Sequence, residues 1–585
     1  MFHDIIINME KRIEKIFFIV IIFVSVFGLT EKSEAAIYYA APKGSLETDN
    51  AASGSGTLED PWSIRAAMAN AHPGDTIYFR GGVYQAGQSV YNVNNSFYFP
   101  ARSGTAENPI VFRAYEGETP VINGNVRTYV TGIAGEGTTT SQLVDTTKDF
   151  TSFGMSSGNS SSNVRTRDTA NGGSWISSIS ANTITLNAPN TVHNTLTNFG
   201  PGDWYEIGHD STNVLGNSGN DASLKSYITF DGFTIQANNG TELGAVYMEG
   251  PDNPPYSTGN VIRNCTFIGP SVKQIVHGDN KQFIFIQNND NLTIENCSFM
   301  RLYQRANWHN TSGIKTYANT DIYVRNCEFS NMTLPIYFKS ATDGILIENN
   351  FIHDCYKAID VSSNMGSHTN VEIRHNILAR CSNQTLSVYT EVDSRNTMDN
   401  YNIHHNTFYN SVSADGGLLG ITIPAVKYAT GYRIHNNVFQ SPLKTGGFQE
   451  TINLQVYGVS YQIDLIDYNA YGYPMKIGTR KTDESFPHYD STMTSWRERT
   501  SPDINLTGGA HDLNSVGDFP VLFINSNGTM SESSDFALAT DSPGYRAGSD
   551  GKDMGADISL VGVNPENMPP QDTTPPNTPT GLAVS

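Results

Sequence analysis

The chain has 585 residues, a formal net charge of −21, only 16% charged residues and 52 glycines. That length exceeds one ordinary globular core, so the chain must divide into domains or grow by repetition along an axis. The negative balance argues against nucleic acid as a partner, and any polyanionic partner would have to meet a local basic patch or a bridging cation.

The first element is an export signal. Lys11, Arg12 and Lys15 precede the apolar run IFFIVIIFVSVFGL (16–29), and small residues follow in SEAA (33–36). A run of about 14 apolar residues is short for a bilayer span, so residues 1–36 read as a signal peptide. The mature chain is expected outside the cell, secreted or at the cell surface, as a monomer without further membrane contact. Its five cysteines are an odd number and suggest no disulfide framework.

Residues 37–126 contain IYYAAPKGS (37–45), PWSIRAAMANAHPGDTIYFRGGVY (61–84) and SGTAENPIVFRAYEGETPVINGN (103–125). This stretch resembles the start of secreted right-handed parallel β-helix proteins of the pectate lyase-like superfamily, polysaccharide lyases among them. The resemblance implies a short amphipathic helix near Ile64–Ala71 that caps the open end of the solenoid; an uncapped end would expose unpaired backbone. Residues 127–207 are rich in Ser, Thr and Asn with short β bursts, and read as a small inserted β module closed by GDWYEIG (202–208). YITFDGFTI (227–235) resumes the solenoid.

Residues 208–562 carry a repeat: IRNCTF (262–267), IENCSF (294–299), VRNCEF (324–329), IENNFI (347–352), IRHNIL (373–378), IHHNTF (403–408), IHNNVF (434–439) and IDYNAY (466–471). Successive copies lie 23 to 32 residues apart, the spacing of a solenoid coil. β-branched and aromatic bias with no helical period makes each copy a strand, so the fold class is all-β, a right-handed parallel β-helix with an inserted module. Coils stack about 4.8 Å apart, which turns each repeat position into a column. The fourth position, Cys265, Cys297, Cys327, Asn350, Asn376, Asn406, Asn437 and Asn469, should form an inward ladder at a tight turn, with Asn in left-handed backbone and the thiols buried. The second position, Arg263, Glu295, Arg325, Glu348 and Arg374, then His404 and His435, alternates in sign over five coils. It should form an outward column whose neighbours attract. The segment FALATDSPGYRAGSDGKDMGADI (536–558) resembles the closing strands of such proteins. Residues 563–578 read as a Pro/Thr linker, and PTGLAVS (579–585) resembles the first strand of a fibronectin type III domain.

Chemistry is expected where basic, aromatic and acidic residues crowd on one outer face. Lys315, Tyr337, Asp360 and Ser387 should form one column there, and Tyr317, Lys339, Ser362 and Tyr389 its neighbour. Arg301, Tyr303, Arg305, Trp308 and His309 should lie on the preceding loop, with Glu391 and Asp393 on the following one. Aromatic faces suit sugar rings, and Lys or Arg suits uronate carboxylates. Lys339, Lys315 and Tyr337 are the catalytic candidates. Arg301, Arg305, Trp308, Tyr317, Asp360 and Tyr389 are the substrate-binding candidates for an extracellular polysaccharide. YFKS (337–340) followed by NNF (349–351) is similar to the Lys-Ser segment of the chondroitinase B and alginate lyase family, which implies that Lys339 is the base of a β-elimination. Where that family carries acidic Ca²⁺ ligands this chain has Asn331, Met332, Thr333 and Leu334, and AIDVSS (358–363) replaces its Arg-His-Gly. Ca²⁺ therefore has no clear ligand set, and no metal ligand is assigned. Polygalacturonase motifs are absent except NTD (319–321), as is the Asp-Pro-His-Asp of alginate epimerases. The expected function is a lyase of acidic polysaccharide. The alternative is a non-catalytic glycan-binding or adhesion protein that uses the solenoid as a rigid platform.

Overall fold

The structure is a computed structural model. It describes residues 35–563 apart from internal stretches that include 86–95, 158–162, 167–172, 217–223, 237–244, 270–281, 303–310, 391–395, 410–417, 424–428, 441–451 and 515–522. The signal-peptide run, the 564–585 linker and tail, and Tyr303, Arg305, Trp308, His309, Glu391 and Asp393 lie outside the described residues.

Each coil contributes strands to three parallel faces. The coil of residues 312–332 shows the pattern: Ser312–Tyr317 on the first face, Asn319–Arg325 on the second, and Glu328–Met332 on the third. Every strand pairs in parallel with its counterpart one coil away, as Ile314 with Ile336, Val324 with Ile347 and Phe329 with Ile352. Inward Ile, Val and Phe from all three faces merge into one continuous core. Stacked like residues fill it: the rings of Phe267, Phe299 and Phe329 lie 4.6 and 4.5 Å apart, nearly parallel. The N-terminal end is covered as expected. The helix Ile64–Asn70, capped by the Ser63 side chain, buries Ile64, Ala66, Ala67 and Met68 in that core.

The insertion leaves the solenoid after Pro120–Asn123 and returns at Asn213–Gly216. It is a separate six-stranded sheet with antiparallel pairing and its own cluster around Leu143, Phe150, Val164, Ile184 and Tyr205.

The charge column exists in the expected register and is longer than expected. It runs Arg113, Asp231, Arg263, Glu295, Arg325, Glu348, Arg374, His404, His435, Asp467. Ion pairs join Arg263 to Asp231 at 3.0 Å, Arg325 to Glu295 at 2.8 Å and Arg374 to Glu348 at 2.7 Å.

The ladder is corrected in one respect. The left-handed residue is not the fourth repeat position but the third: Asn264, Asn296, Asn326, Asn349, His375, His405, Asn436 and Tyr468 all have φ between 51° and 58°. The fourth residue instead turns its side chain inward, where it caps the backbone of the preceding coil. Cys265 N–H donates to Cys297 Sγ and Cys297 N–H to Cys327 Sγ, each at 3.4 Å. The Asn350, Asn376, Asn406 and Asn437 N–H groups each donate to the next Asn Oδ1 at 2.9–3.1 Å. The ladder ends where Asn469 N–H donates to Asp512 Oδ1 at 2.7 Å. Asp512 also accepts from Nε1 of Trp496, the fully buried side chain that the short helix Met493–Arg497 sets into the core.

The segment 536–558 is also corrected. Among the described residues after 530 there are turns and one 3-10 helix, Ser533–Phe536, but no strands. Instead of closing the end, the chain runs back along the side of the solenoid as a strap. Gly555 N–H donates to Asn436 O, Ala556 to Thr407 Oγ1, Asp557 to His375 Nδ1 and Gly562 to Asn349 O, descending coil by coil. Phe536, Leu538, Met554 and Val561 pack on Phe351, Ile377 and Val438 of the third face. No described helix is long and apolar enough to cross a membrane.

Candidate active site

Alternation along the first face sends Ile314, Ile336, Phe338, Ile359 and Val361 inward and the residues between them outward. The outward column Lys315, Tyr337, Asp360, Ser387 is in register, and two aromatic residues extend it: Tyr247, Phe285, Lys315, Tyr337, Asp360, Ser387. The neighbouring column begins Glu249, Gln287, Tyr317. Ser362 pairs with Tyr389. Lys339 breaks the ladder: it sits in a bulge where pairing with the next coil jumps from Phe338–Val361 to Ser340–Met365. A bulge re-aims the side chain it carries. The Lys339 ammonium lies 5.6 Å from the centre of the Tyr317 ring, and the Lys315 ammonium lies 5.5 Å from the same ring and 5.9 Å from that of Tyr337. The two lysines and two tyrosines thus form one cation–aromatic cluster.

The column faces outward but is covered. Lys315 is 1% exposed, Tyr337 4% and Asp360 5%, while Tyr389 is 39% exposed. Strand alternation shows which way a side chain points, not what lies over it. Asp360 differs most from expectation. One carboxylate oxygen is held by Lys357 Nζ at 2.8 Å, and its other oxygen is buried without a hydrogen-bond partner. Lys357 has no place in the repeat, so no column pointed to it. Arg301 lies not on a loop but within the third-face strand Ser298–Leu302, with φ 65° and its Nε buried without a partner.

Burial sets the electrostatics of this face. It pushes the Tyr317 hydroxyl up to about 12. Burial also raises the Glu249 carboxyl, opposed by a hydrogen bond from Tyr247 and aided by Asp252. Glu249 stands two coils from Tyr317, roughly 10 Å by the coil spacing. The sequence reading missed it; the alternation of AVYMEG (245–250) was the one signal that could have placed it on this face. Among the described residues no three His, Cys, Asp or Glu side chains group so as to hold a metal ion. The cluster has the parts to bind an anionic sugar and to hold a lysine among aromatic rings.

Comparison with known proteins places the coils. Residues 44–250 match the family model for the Pel9A-like right-handed β-helix region, and residues 244–439 match that for the right-handed β-helix region. Pectate lyase PEL9 of Emericella nidulans is 42% identical over 91 residues, 15% of this chain and 19% of that protein. The chain thus matches only about a fifth of that relative's length. Among solved structures, XylC in complex with xylose is 16% identical with a TM-score of 0.38, over 77% of this chain and 86% of that one. The crystal structure of pectate lyase Pel9A is 13% identical with a TM-score of 0.36, over 89% of this chain and 96% of that one. With two family models spanning residues 44–439 between them, and one coil register running through both, the chain is a right-handed parallel β-helix protein of the pectate lyase-like kind.

Proposed function

We propose that this chain is an exported polysaccharide-active protein and that it cleaves an acidic polysaccharide by β-elimination on the first face. The observation that carries this reading is the pair of lysines, Lys315 and Lys339, whose ammonium groups lie 5.5 and 5.6 Å from the centre of the same Tyr317 ring. In the proposed reaction Lys339 removes the proton on C5 of a uronate. The C5–H electron pair forms the C4–C5 double bond, and the C4–O bond breaks. Tyr337 supplies the proton that the leaving oxygen takes up. Lys315 opposes protonation of Lys339 and meets the uronate carboxylate. Tyr317 and the exposed Tyr389 offer ring faces to neighbouring sugars. The match to a pectate lyase supports an acidic glycan as the substrate.

Two substitutions test the assignment of Lys339. Lys339→Ala should abolish elimination without unfolding the coil. Lys339→Arg should keep polymer binding but lose most turnover, because a guanidinium stays protonated near neutral pH. The wild-type rate should rise with pH as the base deprotonates. Full activity in both variants would remove Lys339 from the mechanism. The near-complete burial of Lys315, Tyr337 and Asp360 favours a second reading, a non-catalytic glycan-binding platform. Polymer binding without any unsaturated product would select it.

A further inference from the structure

The bulge that carries Lys339 is tied from its core side by a histidine outside both outward columns. At the corner between the first and second faces, one buried position recurs from coil to coil: Asn289, Asn319, Thr342, His368. Its usual task is local. Asn289 Nδ2 donates to Gln287 O at 2.8 Å, and Thr342 Oγ1 to Ser340 O at 3.1 Å, each to the carbonyl two residues back. His368 reaches further: its Nε2 meets Ser362 O at 3.1 Å, six residues back. A carbonyl only accepts, so this nitrogen carries the proton. Nδ1 is then bare in the neutral ring, and it is buried without a partner. Burial holds the imidazole down to about 4 against the pull of the Ser362 carbonyl, so the ring is neutral at neutral pH.

The bulge explains the reach. Between the pairs Phe338–Val361 and Thr342–His368, the strand of Lys339 advances four residues, 338 to 342, while the next coil advances seven, 361 to 368. The surplus loops out between Ser362 and His368. Gly366, with φ 142°, lets this loop close on Ala341, whose Cβ would stand 2.6 Å from a Cβ at that glycine. Asn or Thr at the corner is long enough for the carbonyl two residues back; an imidazole is needed to span the mouth of the loop. Thr342 and His368 thus tie both strands of the bulge from within, at Ser340 O and Ser362 O. On the outer side the Lys339 ammonium lies 5.6 Å from the centre of the Tyr317 ring.

We infer that His368 is a positioning residue for Lys339: by bridging the loop to Ser362 it fixes the bulge that aims the lysine at the Tyr317 ring. Its consequence for catalysis rests on the proposed role of Lys339, whereas the positioning itself can be read without turnover.

Two variants test it. His368→Asn puts at this corner the residue that Asn289 and Asn319 supply on other coils, so the coil should fold, but the amide is too short for Ser362 O. His368→Gln restores a donor of about the same reach. Lysines methylated with ¹³C-formaldehyde report by NMR, and Lys339→Arg identifies the Lys339 resonance. In the wild type the Tyr317 ring should displace that resonance upfield. His368→Asn should lose most of the displacement and His368→Gln should keep it, with denaturant unfolding showing that both fold. On a polymer that the wild type cleaves, His368→Asn should lower kcat by about tenfold or more with KM little changed, and His368→Gln should not. An unchanged Lys339 resonance in His368→Asn would overturn the positioning role. So would a His368→Gln protein as altered as His368→Asn, or a His368→Asn chain that fails to fold, since the imidazole would then serve the fold alone. If the wild type cleaves no polymer, elimination fails as the function, while the Lys339 resonance still decides what His368 does.

Discussion

Asn406→Ala is the most informative single cut in the solenoid. Asn406 is fully buried; its Oδ1 accepts from Asn376 N–H and from Asn376 Nδ2, both at 3.0 Å, and its Nδ2 donates to Ile373 O at 2.8 Å and His404 O at 2.9 Å. Truncation leaves the Asn376 N–H without a partner and strips a donor from two carbonyls. Each stranded buried group costs about 1–3 kcal/mol, so the loss should reach about 3–5 kcal/mol. The damage should stay local, because a coil touches only its neighbours. Asn406→Cys is the control that the protein itself supplies: three coils already use Cys here, and the sulfurs of two of them, Cys297 and Cys327, accept the same backbone N–H. It should recover about half of the loss, since sulfur is a weak acceptor and cannot donate to both carbonyls. The assay is denaturant unfolding combined with hydrogen exchange at the Asn376 amide. An alanine variant within about 1 kcal/mol of the wild type, or a cysteine variant no better than alanine, would refute the capping role of the ladder.

Cys265, Cys297 and Cys327 should resist thiol reagents in the native protein, since burial also pushes the Cys297 thiol well up; rapid labelling of all three would contradict the inward column. Burial raises Asp512 to about 7, ahead of the opposing hydrogen bond from Trp496. Its folded value lies above its unfolded one, so its contribution is complete below about pH 4 and is lost as pH rises toward 7. The Trp496 indole N–H resonance should follow this with a midpoint near 7, and a midpoint near 4 would refute it. His375 and His435 are held down to about 4, first by burial and then by neighbouring histidines. Their folded values lie below the unfolded one, so their contribution is present above about pH 6.5 and fades as pH falls from there toward 4. Protease cleavage within residues 546–562 should therefore quicken over that window, and a rate flat with pH would count against it.

The columns were legible because a solenoid repeats its environment. Any position that recurs on each coil must meet its own kind, so the Arg263–Glu295–Arg325 alternation and the Cys-to-Asn ladder could be read directly from aligned copies. The same logic gave the outward column through Lys315, Tyr337, Asp360 and Ser387. It failed where a residue's surroundings come from outside the coil. The cover over Lys315, the Lys357–Asp360 ion pair and the strap over His375 and His405 are contacts with no period, so the repeat carried no sign of them. Asp512 hid for the same reason: it completes the Asn ladder from a segment 43 residues beyond Asn469, outside the coil spacing. The left-handed turn was placed one residue late. Both the third and fourth positions favour Asn, and only backbone geometry tells an Asn that bends the chain from one that caps it.

The most direct measurement is incubation of the purified protein with polygalacturonate, alginate and chondroitin polymers, following the ultraviolet absorbance of the unsaturated uronide that β-elimination leaves at the new chain end. Cleavage at Lys339 predicts rising absorbance with at least one of these polymers, faster as pH increases, and none with Lys339→Ala. Tight binding of a polymer with no absorbance change at any pH would contradict it.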